Sequence, residues 1–279
     1  MIALYQMIGI SKQAHYKRVN HREKIAKLSE MLIEGAHQIR KDHKRMGCRK
    51  MYDEIQPDGI GRDRSEQILL ANGFRVKPKR SWIRTTYAGK QWHPNLIQGM
   101  RVTDINQLWV SDITYIPISH STHYFLTLVQ DVYSRRIVGW SLSRDMSSMS
   151  TVIPAYKMAL PALGGQQGRL IFHSDKGSQY YWHGLKSLHE QNGVTPSMGG
   201  KAWENAHAES INGILKNEYI DFVGLKVTFQ QATKMIEKII QKYNENRPHG
   251  SLNKMKPAEF ETYIKTLNNS EKPIFTINY

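Results

Sequence analysis

Two acidic residues occupy positions where a carboxylate without a partner would be costly. Asp112 lies in the middle of the apolar segment LWVSDITYI, and Asp175 directly follows the segment LIFHS. Both segments are rich in β-branched and aromatic residues, which favour strands, and burial of an unpaired carboxylate costs several kcal/mol. Because sites in open mixed sheets are built at strand ends, both residues are candidates for chemistry.

A third acid, Glu209, belongs to a helix predicted over residues 204–217. At about 100° per residue, Glu209 shares one polar stripe with Asn205, Asn212 and Lys216. The apolar residues of this helix fall on a different face, which suits a core. Glu209 is therefore expected to point where the polar stripe points.

Three carboxylates that converge would repel one another unless a cation lay among them. Oxygen ligands suit Mg²⁺ or Mn²⁺ rather than zinc. Two such ions about 3.5–4 Å apart can activate a water or a 3′-hydroxyl and stabilise the leaving oxygen of an in-line phosphoryl transfer. The three acids together predict this chemistry, whereas each acid taken alone is more typical of a helix cap or a surface position.

The elements that would position these acids follow one another at short spacing. Three β-rich segments predict an antiparallel meander, and helices alternating with strands come after it. The predicted strands cover 107–116, 122–131, 136–142, 169–174 and 194–197, and the predicted helices cover 148–160, 183–191, 204–217 and 228–244. The fold class predicted from this order is α/β, a mixed sheet flanked by helices.

The N-terminal part of the chain predicts a helical DNA-binding head. Apolar residues recur at helical spacing over 25–40, a second helix fits 47–55, and a third begins near Arg62 and ends at Asn72-Gly73. Helix, turn and helix within about 38–75 match a helix-turn-helix in length. The predicted DNA contacts are Arg62, Arg64, Lys77, Lys79 and Arg80. The alternative is an ordinary three-helix bundle with a solvated basic face.

Charge is distributed unevenly along the 279 residues, whose formal net charge is +15. Residues 1–100 carry +11, residues 101–225 carry zero and residues 226–279 carry +4. This segregation indicates a polyanion partner and is more than solubility requires. The single cysteine excludes a disulfide framework, and the absence of a long apolar run or a secretory leader predicts a cytoplasmic protein with no membrane association.

Several sequence blocks resemble one known family. WVSDITYI, HSDKGSQY and ENAHAESINGILKNEY resemble, in this order, the three catalytic blocks of DDE transposases with a retroviral-integrase-like core. The nearest likeness is to the second-frame product (OrfB) of the bacterial insertion-sequence group that uses two overlapping frames, the IS-three family. DVYSRRIVGW, RKDHKRMGCRKMYDEI and YNENRPHGSLNKMKPAEF are also similar to that family, so the likeness covers nearly the whole chain.

The resemblance implies an RNase H-like fold and cleavage and joining of DNA at the ends of a mobile element. It places the catalytic and metal-ligating acids on Asp112, Asp175 and Glu209, and a DNA contact on Lys216. It implies Mg²⁺ or Mn²⁺ as cofactor, bound as two ions. The implied partners are double-stranded DNA, as element ends and target, and further copies of the chain on that DNA, in a nucleoid-associated cytoplasmic setting. An upstream-frame partner subunit is left open.

The resulting domain organisation has four parts. Residues 1–86 form the DNA-binding head, 87–105 a linker, 106–222 the RNase H-like catalytic core, and 223–279 a C-terminal helix and basic tail packed on the core. One departure from the family pattern is the interval of 33 residues between Asp175 and Glu209, which is slightly short. The shortening falls in the loop SMGGKAWENA and leaves the loop's contacts to DNA undetermined.

Two other functions fit some of these features. An RNase H-like nuclease would share the acids and the metal but would only hydrolyse DNA, without using a DNA 3′-hydroxyl as nucleophile. A helix-turn-helix regulator with an inactive core would need only the basic head, and the intact set of three acids argues against it.

Overall fold

A computed structural model describes residues 11–76, 93–118, 122–164, 168–220, 222 and 227–278. The chain divides into two compact units, Met1–Pro78 and Lys79–Tyr279. Within the described ranges, no helix is long and apolar enough to cross a membrane.

The first unit contains three helices, α1 (Lys12–Asp42), α2 (Cys48–Ile55) and α3 (Arg62–Ala71). The predicted positions of α2 and α3 are confirmed, whereas α1 begins well before the predicted 25–40. Ser11 explains the earlier start, because its hydroxyl accepts a hydrogen bond from the Ala14 amide at 3.1 Å and caps the helix. The three helices share a small core of buried side chains from each of them: Leu32, Ala36, Met51 and Leu69.

The second unit is built on a five-stranded sheet of order β4-β3-β2-β5-β6. Its strands are β2 (Leu108–Pro117), β3 (His123–Asp131), β4 (Ile137–Ser143), β5 (Ile171–Ser174) and β6 (Thr195–Met198). Strands β2, β3 and β4 pair antiparallel, as the predicted meander requires, while β5 runs parallel to both β2 and β6. The prediction of a mixed sheet is therefore confirmed.

Helices cover both faces of this sheet. On one face lie α4 (Val152–Ala159) and α5 (His183–Gln191), whose side chains join those of β2 and β5 in one buried cluster. Helix α4 packs so closely on β4 that a side chain at Gly139 would collide with the Ala155 carbonyl. On the other face lie α6 (Ala206–Glu218) and α7 (Phe229–Asn246), which pack on β3 and β4 through apolar residues. Thr228 and Gln231 cap the start of α7 reciprocally.

The described part of the predicted linker, residues 93–105, belongs to the second unit. Ile97 and Val102 are fully buried, and β1 (Arg101–Val102) pairs with β7 (Phe275–Thr276) near the end of the chain. The linker prediction is wrong for this stretch, because its few apolar residues pack against α8 (Pro257–Thr266) and the tail that follows it. The sequence reasoning predicted neither α8 nor this two-stranded sheet.

Candidate active site

The register of the sheet brings Asp112 and Asp175 together. Ser111 on β2 is the partner of Ser174 on the parallel strand β5, and each serine is followed by one of the two acids. Adjacent strands lie about 4.8 Å apart, so equivalent residues on β2 and β5 are neighbours. Asp112 and Asp175 therefore lie side by side at the same edge of the sheet.

Two asparagines hold helix α6 at this edge. Asn205 lies directly before the helix and Asn212 lies within it. Asn205 donates its side-chain amide to the Ser111 carbonyl at 3.1 Å, immediately before Asp112 in the chain. Asn212 donates its amide to Asp112 Oδ2 at 2.8 Å. Glu209 lies between the two asparagines on the same stripe and is exposed to solvent. We refer to Asp112, Asp175 and Glu209 as the site acids.

The carboxyl groups of the site acids act on one another electrostatically. Burial and the charge of Asp175 raise the pKa of Asp112 to about 7, with a smaller contribution from Glu209, while hydrogen bonds from Ile113 and Asn212 lower it. Burial also raises the pKa of Asp175, and burial together with the charge of Asp175 raises the pKa of Glu209. Mutual repulsion of this kind makes the site favourable for a cation.

Few protein donors compensate the site acids. Asp112 Oδ1 accepts the amide of its own neighbour Ile113 at 2.8 Å, and Asp175 Oδ1 accepts the Gly177 amide at 2.9 Å. Among the residues that the structure describes, Glu209 accepts no hydrogen bond. The carboxylate oxygens of this edge are therefore available to ligands.

Tyr180 lies within electrostatic reach of Asp112 and Asp175. Its hydroxyl lies 3.0 Å from Ser111 Oγ, and burial together with the charges of Asp112 and Asp175 raises its pKa well above the ordinary value. The phenol therefore stays protonated beside two carboxylates. Tyr180 is itself buried.

The loop between β6 and α6 is fixed by His173, a fully buried residue of β5. Its Nε2 lies 2.9 Å from the Glu204 carbonyl and its Nδ1 lies 2.9 Å from Ser197 Oγ. Burial lowers the pKa of His173 to about 4, so the ring is neutral and donates one of these bonds while accepting the other. His173 thus orients the start of the helix that carries Glu209 and does not touch the site acids.

The site residues fit a divalent cation by the chemistry of their donors. All three site acids offer oxygen, and the buried amide oxygens of Asn205 and Asn212 have no hydrogen-bond partner in the part of the chain that the structure describes. Buried acceptors of this kind are costly unless something positive satisfies them. In the described ranges, no three His, Cys, Asp or Glu side chains are arranged to hold one metal ion.

Lys216 lies two turns along α6 from Glu209 and is half-buried. Burial lowers the pKa of its ammonium, and the negative charge of Asp112 opposes that effect. Lys216 is therefore within the electrostatic reach of the site acids, on the stripe that the sequence predicted for it.

The predicted DNA contacts of the head are only partly within the described residues. Arg62 and Arg64 are exposed on α3, and Arg62 Nε lies 3.0 Å from Asp63 Oδ1. Lys77, Lys79 and Arg80 lie outside the described residues.

Sequence reasoning placed Asn205 and Asn212 on the polar stripe but gave them no role. Asn205 lies four residues before Glu209 and Asn212 lies three residues after it. Residues at these spacings are neighbours on one helix face, so the spacing could have indicated that both asparagines lie at the site. Tyr180 gave no such signal, because it reaches the site only through the turn after Asp175.

A mixed sheet of this order, with one acid inside a central strand, a second directly after the neighbouring parallel strand and a third on a helix beside them, is the arrangement of an RNase H-like polynucleotidyl transferase core. Family models of known proteins agree with this class. Two family models described as integrase core domains match residues 103–202 and 192–257. A magnesium-containing structure of the HTLV-2 integrase catalytic core has a TM-score of 0.45 at 18% identity, covering 57% of this chain and 97% of that one.

Curated relatives match most of the chain. A 31 kDa protein of the insertion element IS600 from Shigella sonnei is 33% identical over 91% of this chain and 96% of its own length. The transposase of the insertion sequence IS904 from Lactococcus lactis is 38% identical over 70% of this chain and 76% of its own. The chain belongs to the family of insertion-sequence DDE transposases with a retroviral-integrase-like core, and it is an enzyme of the polynucleotidyl transferase class.

Proposed function

We propose that Asp112, Asp175 and Glu209 are the catalytic and metal-binding residues of this transposase. The observation that carries this proposal is the convergence of the three carboxylates at one sheet edge, where they raise one another's pKa and have few protein donors. When bound there, Mg²⁺ or Mn²⁺, as a pair of ions, would activate the attacking hydroxyl and stabilise the leaving oxygen.

The side chains around the site acids would hold them ready for this chemistry. Asn212 orients Asp112 through its amide hydrogen bond of 2.8 Å, and the Gly177 amide orients Asp175 at 2.9 Å. Lys216 would contact a phosphate or base of the approaching DNA end, because it shares a helix stripe with Glu209 and lies within the electrostatic reach of Asp112. Its role is to position the DNA.

The partner in this function is double-stranded DNA, as element end and as target. The first unit, with Arg62 and Arg64 exposed on α3, would recognise the element end, and Lys77, Lys79 and Arg80 would extend that contact. Joining two ends to one target requires more than one copy of the chain on the DNA. An upstream-frame subunit is a further partner in this proposal, and the cytoplasm of a bacterial cell is its setting.

A strand-transfer assay tests the reaction. The full chain is incubated with Mn²⁺ and a labelled duplex that carries the inverted repeat flanking the gene, with either a 3′-hydroxyl or a 3′-deoxy end. The proposal predicts joined products from the hydroxyl end and none from the deoxy end. Hydrolysis of both ends without joining would show a nuclease instead.

The role of the head is tested by binding. Arg64→Ala should weaken binding of the element end by about tenfold relative to unrelated duplex, since one good contact to a base is worth about 1–3 kcal/mol. Lys17→Ala, an exposed charge on α1, is the matched control and should affect both duplexes alike. Equal loss for both duplexes with Arg64→Ala would contradict recognition by α3.

A further inference from the structure

An exposed tryptophan lies in the loop between β6 and α6. Trp203 belongs to a short helical turn (Ala202–Asn205), and 56% of its surface is exposed. The other tryptophans that the structure describes are fully buried or half-buried: Trp109, Trp140 and Trp182. An indole in this position adds little to the core, because most of its apolar surface stays in water. The ring of Trp203 is therefore accessible to a ligand.

The loop that carries Trp203 starts at the edge of the sheet where the site acids lie. Strands β5 and β6 are parallel, so both reach that edge with their carboxyl ends. The carbonyl of Ser174, which directly precedes Asp175, accepts the amide of Gly199 at 2.9 Å. The start of the loop is thus bonded to the chain directly before a site acid.

The loop is bonded to the site region a second time, directly after Trp203. The Glu204 carbonyl lies 2.9 Å from His173 Nε2, and Asn205 donates its amide to the Ser111 carbonyl at 3.1 Å. Consecutive Cα atoms are about 3.8 Å apart, so the Cα of Trp203 lies within about 8 Å of the Cα of Asn205. Successive nucleotides of one DNA strand are about 3.4 Å apart. Trp203 is therefore within a few nucleotides of the site acids.

Hydrogen bonds within the loop hold its backbone in one conformation. The Glu204 carboxylate accepts the backbone amides of Gly200 and Lys201, the second at 3.2 Å. A Cβ atom at Gly199 would lie 3.0 Å from the Cβ of Glu204, so the two ends of the loop pack closely. A segment that is already ordered loses little conformational entropy when it binds a ligand. The backbone of Trp203 is therefore in place before a ligand arrives.

Lys201 places a positive charge against the indole. Its Nζ lies 4.8 Å from the centre of the Trp203 ring, which is a cation–π contact. Lys201 is exposed, so its ammonium can also reach a phosphate beside the indole. Proteins bind single nucleotides by combining an aromatic ring, which stacks on the base, with a basic group for the backbone. Trp203 and Lys201 together match one nucleotide.

We propose that the indole of Trp203 stacks on the terminal base of the DNA end that enters the site. The DNA end comes to this edge of the sheet through the proposed function of the site acids, on which this inference rests. The last base of a duplex has one face that no neighbouring base covers, so it can stack on an indole without losing its pairing. The base would take the ring face opposite the Lys201 ammonium, which would contact the adjoining phosphate. Because every base has such a face, Trp203 holds the end in place without reading its sequence.

The binding of abasic duplexes tests the proposal with the full chain. Each duplex ends at the boundary of the inverted repeat that flanks the gene, and it lacks one base, either at the last nucleotide of one strand or at an internal nucleotide. Affinities are measured without a divalent ion for the unchanged chain, Trp203→Ala, Trp203→Phe and Tyr263→Ala. Tyr263 is an exposed aromatic residue of α8 and provides the matched control.

Removal of the terminal base should weaken binding by the unchanged chain and by Tyr263→Ala by about tenfold, which is typical of one stacked base. Trp203→Ala should bind the complete end about tenfold more weakly, and loss of the terminal base should then have no further effect. Trp203→Phe should restore part of the dependence on the terminal base, because phenylalanine also stacks. Internal abasic sites should act equally in all four chains.

Additive losses from Trp203→Ala and from the missing terminal base would overturn the proposal, because they would show that the indole and the base do not touch. The absence of a terminal-base effect in the unchanged chain would overturn it as well. Unchanged affinity of Trp203→Ala for the complete end would also contradict stacking, and a changed oligomeric state of that variant would then assign the indole to a contact between copies.

These affinities do not depend on catalysis, because no metal is present and no strand is joined. The strand-transfer assay is therefore run separately on the same chains. A Trp203-dependent effect of the terminal base in a chain that joins no ends would contradict the proposed function and support the stacking. Joining by the unchanged chain together with additive losses in binding would overturn the stacking alone.

Discussion

The second unit holds two groups of carboxylates, and they are built in opposite ways. The site acids Asp112, Asp175 and Glu209 face one another with few protein donors. The second group, Asp131 and Glu261, which we call the turn acids, lies at the turn after β3. Burial raises the pKa of Asp131 to about 6, compared with about 7 for Asp112.

Hydrogen bonds separate the two groups. Asp131 accepts the backbone amides of Asn106 and Ser134, both at 2.7 Å. Ser134 Oγ lies 3.0 Å from Asp131 and 2.8 Å from Glu261, and Arg136 pairs with Glu261 at 3.0 Å. The turn acids are satisfied by the protein and hold a turn and the tail together, whereas the site acids have fewer donors among the residues that the structure describes. A raised pKa alone therefore does not distinguish Asp112 from Asp131, whereas the number of protein donors does.

The largest expected effect comes from neutralising a site acid. Asp112→Asn, Asp175→Asn and Glu209→Gln should each reduce Mn²⁺-dependent strand transfer by about 10³-fold or more, because the ions contribute several kcal/mol to the transition state. DNA binding should stay within a few fold, measured by gel shift. Asp131→Asn is the matched control and should retain joining within about tenfold. Near-normal joining by any site-acid variant, or complete loss in a folded Asp131→Asn, would break the comparison.

A smaller effect is expected from a change of Lys216, which lies within the electrostatic reach of Asp112 but whose ammonium does not bind a metal ion. Lys216→Ala should slow joining and weaken crosslinking of the terminal nucleotides by about tenfold, the equivalent of one phosphate contact of about 1.4 kcal/mol. Lys216→Arg should be milder because the charge remains. Lys186→Ala is the control, because Lys186 is an exposed lysine whose Nζ lies 3.9 Å from Glu190 Oε1 on a different helix from Glu209. Identical joining by Lys216→Ala and Lys186→Ala would reduce Lys216 to an ordinary surface charge.

The smallest expected effect is on the pH dependence of stability without metal. The pKa of Asp112 rises from 3.8 to about 7 on folding, so between these values the folded chain binds more protons than the unfolded chain. The contribution of Asp112 to stability therefore falls as the pH rises through this window. Asp131 contributes in the same direction but only up to about pH 6. Asp112→Asn should flatten the fall between about pH 6 and 7.5 in denaturant titrations with chelator present, whereas an unchanged fall would contradict the raised pKa.

Much of the site could be predicted from the sequence, because its acids interrupt strong local patterns. Asp112 breaks a β-rich segment, Asp175 ends another, and Glu209 falls on a polar helical stripe. Their convergence depends on the parallel pairing of Ser111 with Ser174, which joins residues far apart in the chain and leaves no local signal.

The parts of the fold that were missed differ in kind. Helix α8 could have been predicted, because Lys256, Pro257 and Glu259 form a typical helix start. The segment was instead interpreted as part of a basic tail. The β1–β7 sheet has only two residues per strand, too few for a periodicity.

The most direct test of the account compares the metal-free unfolding free energies of Asp112→Asn and Asp131→Asn at about pH 8. At Asp112 an amide removes repulsion, and Asn212 can turn its unpartnered oxygen to accept from it, so stability should rise by about 1 kcal/mol. At Asp131 an amide must oppose a backbone N–H, so stability should fall by about 1–3 kcal/mol. Added Mn²⁺ should then stabilise Asp131→Asn and the unchanged chain but not Asp112→Asn. Loss of stability in both variants, or equal stabilisation of all three chains by Mn²⁺, would contradict the assignment of the site acids.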